Sequence, residues 1–342
     1  MVPEIGVSPS LPRVAMMSTG GTIDSVGADR LDLAWYTETR KRLADGQLLE
    51  EIGELGDLAL IEEVPLPFSR RPSYALGTRE WLELARTVDA LVGRDDVDGV
   101  VITHGTNTLE ETAYFLHLVV QPPKPVVLVG AMRPSSGLGA DGYLNLVRAV
   151  QVAGAPQSRG QGVLVVLNDT IYGARDVTKT ATFRVDTFRA PDAGPLGYAD
   201  ADGRIVYYHR PAGFPADRPA FAIDGLVDLP RVDVLVSYVG ADGTFVDAAV
   251  AAGARGIVSA GTGAGRVTPA EDAAYDRAIA RGVVVCQSSR VGSGRVSRSP
   301  EMERRGIVAA DNLQPWKAKV LLSLALTGTE DPAALQQLFD PA

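Results

Sequence analysis

Short apolar runs alternate, along the first half of the chain, with longer segments in which apolar residues recur every three or four positions. Short apolar runs are typical of buried strands, and the longer amphipathic segments are typical of helices. The predicted strands are residues 14–17, 58–64, 97–103, 126–130 and 162–167, and the predicted helices are 78–92, 109–119 and 143–152. Because parallel strands are joined by right-handed crossovers, this alternation predicts a mostly parallel sheet with helices on both faces.

The pattern changes after residue 168. Threonine-rich alternation up to residue 206 predicts edge strands with a hairpin turn at 200–203, and residues 210–219 hold three prolines without periodicity, as a linker does. Strand patterns at 232–239, 256–260 and 283–286 then alternate with helical patterns near 245–253 and 269–281, and two helices close the chain. We therefore predict an α/β protein. A larger N-terminal domain (1–209) with a doubly wound, mostly parallel sheet is joined by a linker (210–225) to a smaller C-terminal α/β domain (226–342).

Charge and composition narrow the classes of partner. The chain of 342 residues carries a formal net charge of −9, which repels phosphate groups, and no basic stripe offsets it. We therefore expect neither nucleic acid nor a membrane as a partner. One cysteine, Cys286, and three histidines provide no intrachain disulfide and no spaced zinc-binding cluster, so we expect no metal. The first seventeen residues fit neither a signal peptide nor a membrane span, which leads us to expect a cytoplasmic protein.

Two glycine turns that contain threonine, at residues 18–23 and 103–108, each follow a predicted strand. Because strand ends in an open parallel sheet face a common crevice, Thr22 and Thr106 are expected to face one small substrate. A phosphate-binding loop would need a Walker lysine or a G-x-G-x-x-G order, which these turns lack. Amide or ester hydrolysis is therefore the first hypothesis.

A threonine nucleophile needs a nearby base and N–H donors for the developing oxyanion. The glycines beside the two threonines, Gly21 and Gly105, allow the backbone to approach a substrate closely. His104 is near enough in sequence to suggest a base, but consecutive side chains of a strand point to opposite faces, so we predict a structural role for it.

Several stretches together resemble the bacterial L-asparaginase/glutaminase family over essentially the whole chain. They are residues 19–23, 101–114, 130–134, 168–170, 175–180, 194–198 and 288–291, and their order and spacing also fit. The resemblance implies a two-domain α/β amidohydrolase that converts asparagine, or a related side-chain amide, to the acid and ammonia through an acyl-enzyme. It also implies a cofactor-free homodimer or homotetramer.

The resemblance further implies roles for individual residues. Thr22 matches the primary nucleophile, Tyr36 the tyrosine that activates it, Thr106 the second threonine, Lys179 the lysine that accompanies Thr106, and Glu301 an acid that orients the tyrosine from a partner domain or subunit. The implied substrate-binding residues are Gly21, Ser73, Tyr74, Gly105 and Asn107.

The sequence departs from the family pattern at three of its positions. Asn107 stands where the family has an Asp that binds the α-ammonium of the substrate, Tyr74 where it commonly has Gln or Glu, and Ala264 where many members have Asn. Asn107 is also expected to contact Lys179. Because Asn107 is neutral, it stabilises the lysine ammonium less than an Asp would, and the pKa of Lys179 should be lower. Two alternatives to an ordinary asparaginase follow: a catalytically impaired or silent ligand-binding module, or a hydrolase of an amide that lacks a free α-ammonium.

Overall fold

The computed structural model describes residues 10–69, 71–120, 123–211 and 220–340. The strands described are β1 Arg13–Ser18, β2 Ser25–Val26, β3 Lys41–Arg42, β4 Leu60–Glu63, β5 Gly99–Thr103, β6 Val126–Val129, β7 Val163–Leu167, β8 Thr170–Gly173, β9 Thr178–Lys179, β10 Phe188–Arg189, β11 Gly197–Ala199, β12 Ile205–Tyr207, β13 Val232–Val236, β14 Gly256–Gly261, β15 Val284–Ser289 and β16 Val308–Ala309. The helices are α1 Gln47–Glu50, α2 Thr78–Val92, α3 Leu109–Val119, α4 Gly142–Gly154, α5 Thr244–Ala251, α6 Pro269–Ile279, α7 Pro300–Arg305, α8 Pro315–Ala325 and α9 Pro332–Phe339.

An eight-stranded sheet in the order β12-β11-β8-β7-β6-β5-β1-β4 forms the centre of the N-terminal half. Five neighbouring strands, β4, β1, β5, β6 and β7, pair in parallel. Strands β8, β11 and β12 follow at one edge with antiparallel pairing. Alternate residues of β1 enter different cores: Ala15 and Met17 pack with α2 and α3, whereas Val14 and Met16 pack with α4. The prediction of helices on both faces of a mostly parallel sheet is confirmed.

A second, smaller sheet pairs β13, β14, β15 and β16 in parallel. Helices α5 and α6 cover one face, and α8 and α9 cover the other, where the core is continuous with that of the first sheet. The predicted hairpin turn is also present, because Asp200 N donates to Arg204 O at 2.8 Å between β11 and β12. Of the predicted linker, residues 212–219 lie outside the described residues.

Lys317 of α8 joins the two halves from a fully buried position. Its Nζ donates to the carbonyl oxygens of Ala174 and Arg175, both at 2.8 Å, and of Val177 at 2.5 Å. Burial lowers the pKa of Lys317 to about 8, so the group is still largely an ammonium with three hydrogens to donate at neutral pH. These three carbonyls belong to the loop that leads into β9, which carries Lys179.

We expect Lys317→Met to lower the free energy of unfolding by about 2–4 kcal/mol, because buried carbonyls that lose their donor cost roughly 1–3 kcal/mol each and relax only in part. Chemical denaturation followed by circular dichroism measures this change. The control is Lys319→Met on the same helix, where the ammonium is only partly buried and lies 5.2 Å from the centre of the Trp81 ring. Equal losses of stability in the two variants would contradict the role of the three carbonyl contacts.

Candidate active site

The two glycine turns meet at the carboxyl ends of neighbouring strands. Strands β1 and β5 pair in parallel with Ser18 opposite Thr103, and Thr19 N donates to Thr103 O at 2.9 Å. The segments leaving these strands carry Thr22 and Thr106 into the lining of one cavity of about 490 Å³. The sheet topology therefore brings both hydroxyls to a single crevice.

The close approach of the two turns requires glycine. Gly21 has a φ of +127°, and a Cβ placed on it would lie 2.6 Å from the Cα of Gly105. Such a contact is shorter than carbon atoms tolerate, and the positive φ is itself unfavourable for a residue with a side chain. Gly105 in turn lies against Ser73, whose Oγ would be 2.7 Å from an added Cβ. The turns thus pack backbone against backbone at the bottom of the cavity.

Tyr36 reaches Thr22 from a loop that is bounded by the short β2–β3 ribbon. The Tyr36 hydroxyl lies 2.9 Å from Thr22 Oγ1, within hydrogen-bond distance. The turn that carries Tyr36 is held by Thr39, whose Oγ1 lies within hydrogen-bond distance of the carbonyl oxygens of Val26 and Tyr36, at 2.6 and 2.8 Å, and can donate its one hydrogen to either. The first hydroxyl therefore has a phenol as its immediate partner.

Lys179 is the partner of the second hydroxyl. Its Nζ donates to Thr106 Oγ1 at 2.8 Å, and its backbone N–H donates to Glu110 Oε1 at 3.2 Å. Burial lowers the pKa of Lys179 below its usual 10.5, and the negative charge of Glu110 opposes that shift. A lysine with a lowered pKa, bonded to a hydroxyl, can accept a proton at a lower pH than an exposed lysine can.

Glu110 is a residue that the sequence reasoning missed. It lies in the first turn of α3, is buried, and its Oε2 has no hydrogen-bond partner among the described residues. The expected contact of Asn107 with Lys179 is not among the hydrogen bonds of the described residues, where Lys179 instead contacts Thr106 and Glu110. The sequence signal that could have identified Glu110 is its position, three residues after Asn107 and in the first turn of a predicted helix.

The other substrate-binding candidates lie around the same cavity. Gly21, Ser73, Tyr74, Gly105 and Asn107 all line it. Ser73 is buried, and its Oγ, which lies against Gly105, has no hydrogen-bond partner among the described residues. Asn107 is exposed to the cavity, and Tyr74 is 70% exposed.

His104 has a structural environment, as the strand alternation predicts. It is fully buried, its Nδ1 lies 2.8 Å from Gly105 O, and it is not among the residues that line the cavity. Burial lowers the pKa of His104 to about 4, so the ring is neutral at physiological pH. We assign it to support of the second glycine turn.

Comparison with known protein families shows to which family this chain belongs. The family described as "Asparaginase, N-terminal" matches residues 13–213, and the "Glutaminase/Asparaginase C-terminal domain" matches residues 231–339. The chain belongs to the asparaginase family. L-asparaginase 2 of Bacillus subtilis is 41% identical over 96% of this chain and 86% of its own length. A protein of Haemophilus influenzae called "Probable L-asparaginase periplasmic" is 41% identical over 98% of this chain and 95% of its own length.

A solved structure agrees with the family relationship. The probable cytoplasmic L-asparaginase of Campylobacter jejuni superposes with a TM-score of 0.91 at 38% sequence identity, over 96% of this chain and 99% of that one. The asparaginase fold predicted from the sequence motifs is thereby confirmed.

Of the residues to which the family resemblance assigns a role, Glu301 is the one that does not line this cavity in the single chain. It is an exposed residue of α7, with an oxygen 3.9 Å from Nη1 of Arg305. Its action on Tyr36 would require a partner subunit and stays a prediction. In the described part of the chain, no group of three or more His, Cys, Asp or Glu side chains is placed to hold a metal ion. The helices described there are also too short or too polar to cross a membrane.

Proposed function

We propose that this chain is a threonine-dependent amidohydrolase that converts asparagine, or a related side-chain amide, to the acid and ammonia through an acyl-enzyme. The observation that carries the proposal is the presence of two hydroxyl pairs in one cavity: Thr22 with Tyr36 at 2.9 Å, and Thr106 with Lys179 at 2.8 Å. Membership of the asparaginase family supports the same chemistry.

In the first step, Thr22 Oγ1 attacks the amide carbonyl, and its proton passes to the Tyr36 oxygen while the phenol gives its own proton to the amide nitrogen. The C–N bond then breaks, ammonia leaves with the transferred proton, and an ester remains on Thr22. In the second step, water attacks the ester. Lys179, acting through the hydroxyl of Thr106, accepts the proton of the water, and the acid is released as Thr22 regains its hydrogen. The backbone N–H groups around Gly21 and Gly105, which line the same cavity as the two threonines, serve as donors to the oxyanion.

The competing function is a silent ligand-binding module. It is disfavoured because two partly buried hydroxyl pairs and a lysine with a lowered pKa have no evident use in binding alone. Ammonia release from a panel of amides, with hydroxylamine present to trap the acyl-enzyme as a hydroxamate, tests the proposal. Ammonia and hydroxamate formation are expected. Saturable binding of an amide without release of ammonia from any member of the panel would instead establish the silent module.

We also propose the wider setting of the enzyme. The domain boundaries 1–209 and 226–342, with a linker at 210–225, are supported by the two sheets, which end at Tyr207 and begin at Val232. A homodimer or homotetramer, a cytoplasmic location, and the lack of nucleic-acid or membrane partners follow from the family resemblance and the acidic charge. Relatives are named both cytoplasmic and periplasmic, so cell fractionation decides the location. Light scattering measures the oligomer.

A further inference from the structure

The cavity has a charge distribution that is unusual for a site that would bind a free amino acid. None of the described residues that line it is Asp or Glu, whereas four of them are basic: Arg40, Lys41, Arg42 and Lys179. Arg42 is paired with the buried Asp24 at 3.3 Å, and no ion pair involves Arg40 or Lys41 among the described residues. Within the single chain, an ammonium group placed in this cavity would find no carboxylate on the described walls and would face like charges.

The neutral side-chain amide of Asn107 is suited to a substrate whose α-nitrogen is an uncharged N–H rather than an ammonium. Its side chain is exposed to the cavity, and its oxygen can accept a hydrogen bond from a neutral N–H as well as from an ammonium. The hydrogen bond to a neutral N–H carries no charge assistance, so replacing a carboxylate by Asn107 weakens the binding of an ammonium far more than the binding of an amide nitrogen. Asn107 thus removes the advantage of a free amino group.

The cavity also offers what an acyl group and a free carboxylate need. Besides Tyr36, two largely exposed aromatic side chains line it: Tyr74 is 70% and Phe183 is 62% exposed. They add apolar surface to the cavity that Asn107 also lines. The basic side chains that line the cavity can bind a carboxylate. A volume of about 490 Å³ lies within the range of roughly 300–1,000 Å³ that is typical of small-molecule sites.

Building on the amidohydrolase function proposed above, we infer that the site prefers asparagine whose α-nitrogen is acylated and whose α-carboxylate is free over asparagine with a free α-ammonium. The reaction uses water to cleave the C–N bond of the amide in the substrate's side chain. It gives ammonia and the N-acyl-aspartate, and it leaves the acyl group on the α-nitrogen.

The experiment compares kcat/KM for N-acetyl-L-asparagine and L-asparagine by ammonia release, with the product identified by mass spectrometry. For the unaltered chain we expect N-acetyl-L-asparagine to be favoured about tenfold or more, and N-acetyl-L-aspartate to be the product. The variant Asn107→Asp restores a carboxylate and is expected to shift the ratio about tenfold toward L-asparagine. The neutral control Asn107→Ser is expected to change kcat/KM for both substrates without shifting their ratio toward L-asparagine.

A second comparison tests the aromatic surface. Phe183→Ala is expected to lower kcat/KM for N-acetyl-L-asparagine more than for L-asparagine. The matched control is Phe245→Ala on α5, where the phenyl ring is 61% exposed and does not line the cavity. An effect of equal size from both substitutions, on both substrates, would count against an acyl-binding surface.

The possible failures are distinguishable. Preference of the unaltered chain for L-asparagine, an Asn107→Asp ratio equal to that of the unaltered chain, or release of acetate would overturn the inference and leave the amidohydrolase function intact. Absence of ammonia from both substrates, with Thr22→Ala indistinguishable from the unaltered chain, would overturn the proposed function and the inference with it.

Discussion

Substitution of Thr22 by Ala is expected to lower kcat for amide hydrolysis by about 10⁴-fold or more, since removal of a nucleophile leaves only binding and oxyanion stabilisation. The Oγ1 atom lost in this variant is the one that lies 2.9 Å from the Tyr36 hydroxyl. No acyl-enzyme can form on alanine, so the hydroxamate produced with hydroxylamine should also disappear. Steady-state ammonia release and hydroxamate analysis provide the two measurements.

Binding should survive this substitution, because the rest of the cavity is unchanged. Isothermal titration calorimetry with the amide measures it. The matched control is Thr87→Ala on α2, which removes a threonine hydroxyl that bonds only to Glu83 O in its own helix at 3.0 Å and lies outside the cavity. Turnover by Thr22→Ala comparable with that of Thr87→Ala would exclude Thr22 as the nucleophile.

Substitution of Lys179 by Met is expected to lower kcat by about 10²–10⁴-fold, the usual contribution of a positioned general base. The Nζ atom removed is the one that donates to Thr106 Oγ1 at 2.8 Å. Deacylation should slow more than acylation, because the first hydroxyl keeps its partner Tyr36. Accumulation of an acyl-enzyme detected by intact-protein mass spectrometry would show this, whereas unchanged kcat would exclude Lys179 as a base.

The pH dependence follows from the environment of Lys179. Only the neutral amine can accept a proton, so kcat should rise with pH through the pKa of Lys179, and burial places that midpoint below 10.5. Glu110 opposes the shift by stabilising the ammonium, so Glu110→Gln should move the midpoint to a still lower pH.

Glu111→Gln is the matched control for this pH profile. It neutralises the next carboxylate of the same helix, whose electrostatic partners include Lys319 and Lys317. A midpoint that shifts equally in the two variants, or that rises in Glu110→Gln, would contradict the coupling of Glu110 to Lys179.

Local sequence patterns were sufficient for most of the fold. Helices 78–92 and 109–119 were placed with the bounds that the structure has, because their apolar positions follow the helical period closely. The strand predicted at 232–239 ends at Val236 in the structure, since an apolar run does not mark the residue at which a strand stops pairing. The two threonines were found because each lies in a glycine turn directly after a buried strand.

Contacts between distant segments were beyond this reasoning. The bond of Lys179 to Thr106 joins residues 73 positions apart, and Lys317 reaches carbonyls more than 130 positions away. Sequence motifs suggested the first pair only through a family resemblance, and nothing suggested the second. Glu110 was overlooked for the same reason: its importance depends on β9 lying against α3.

The sequence by itself determined the α/β class, the two glycine turns and the residue types that stand in them, because these depend on periodicity and on backbone conformations that are local. Only the tertiary structure decided that Lys179 forms a hydrogen bond with Glu110, and that a cavity without acidic residues on its described walls surrounds the two hydroxyls. Those features arise where the ends of β1, β5 and β9 come together, and the packing of whole sheets and helices sets their geometry.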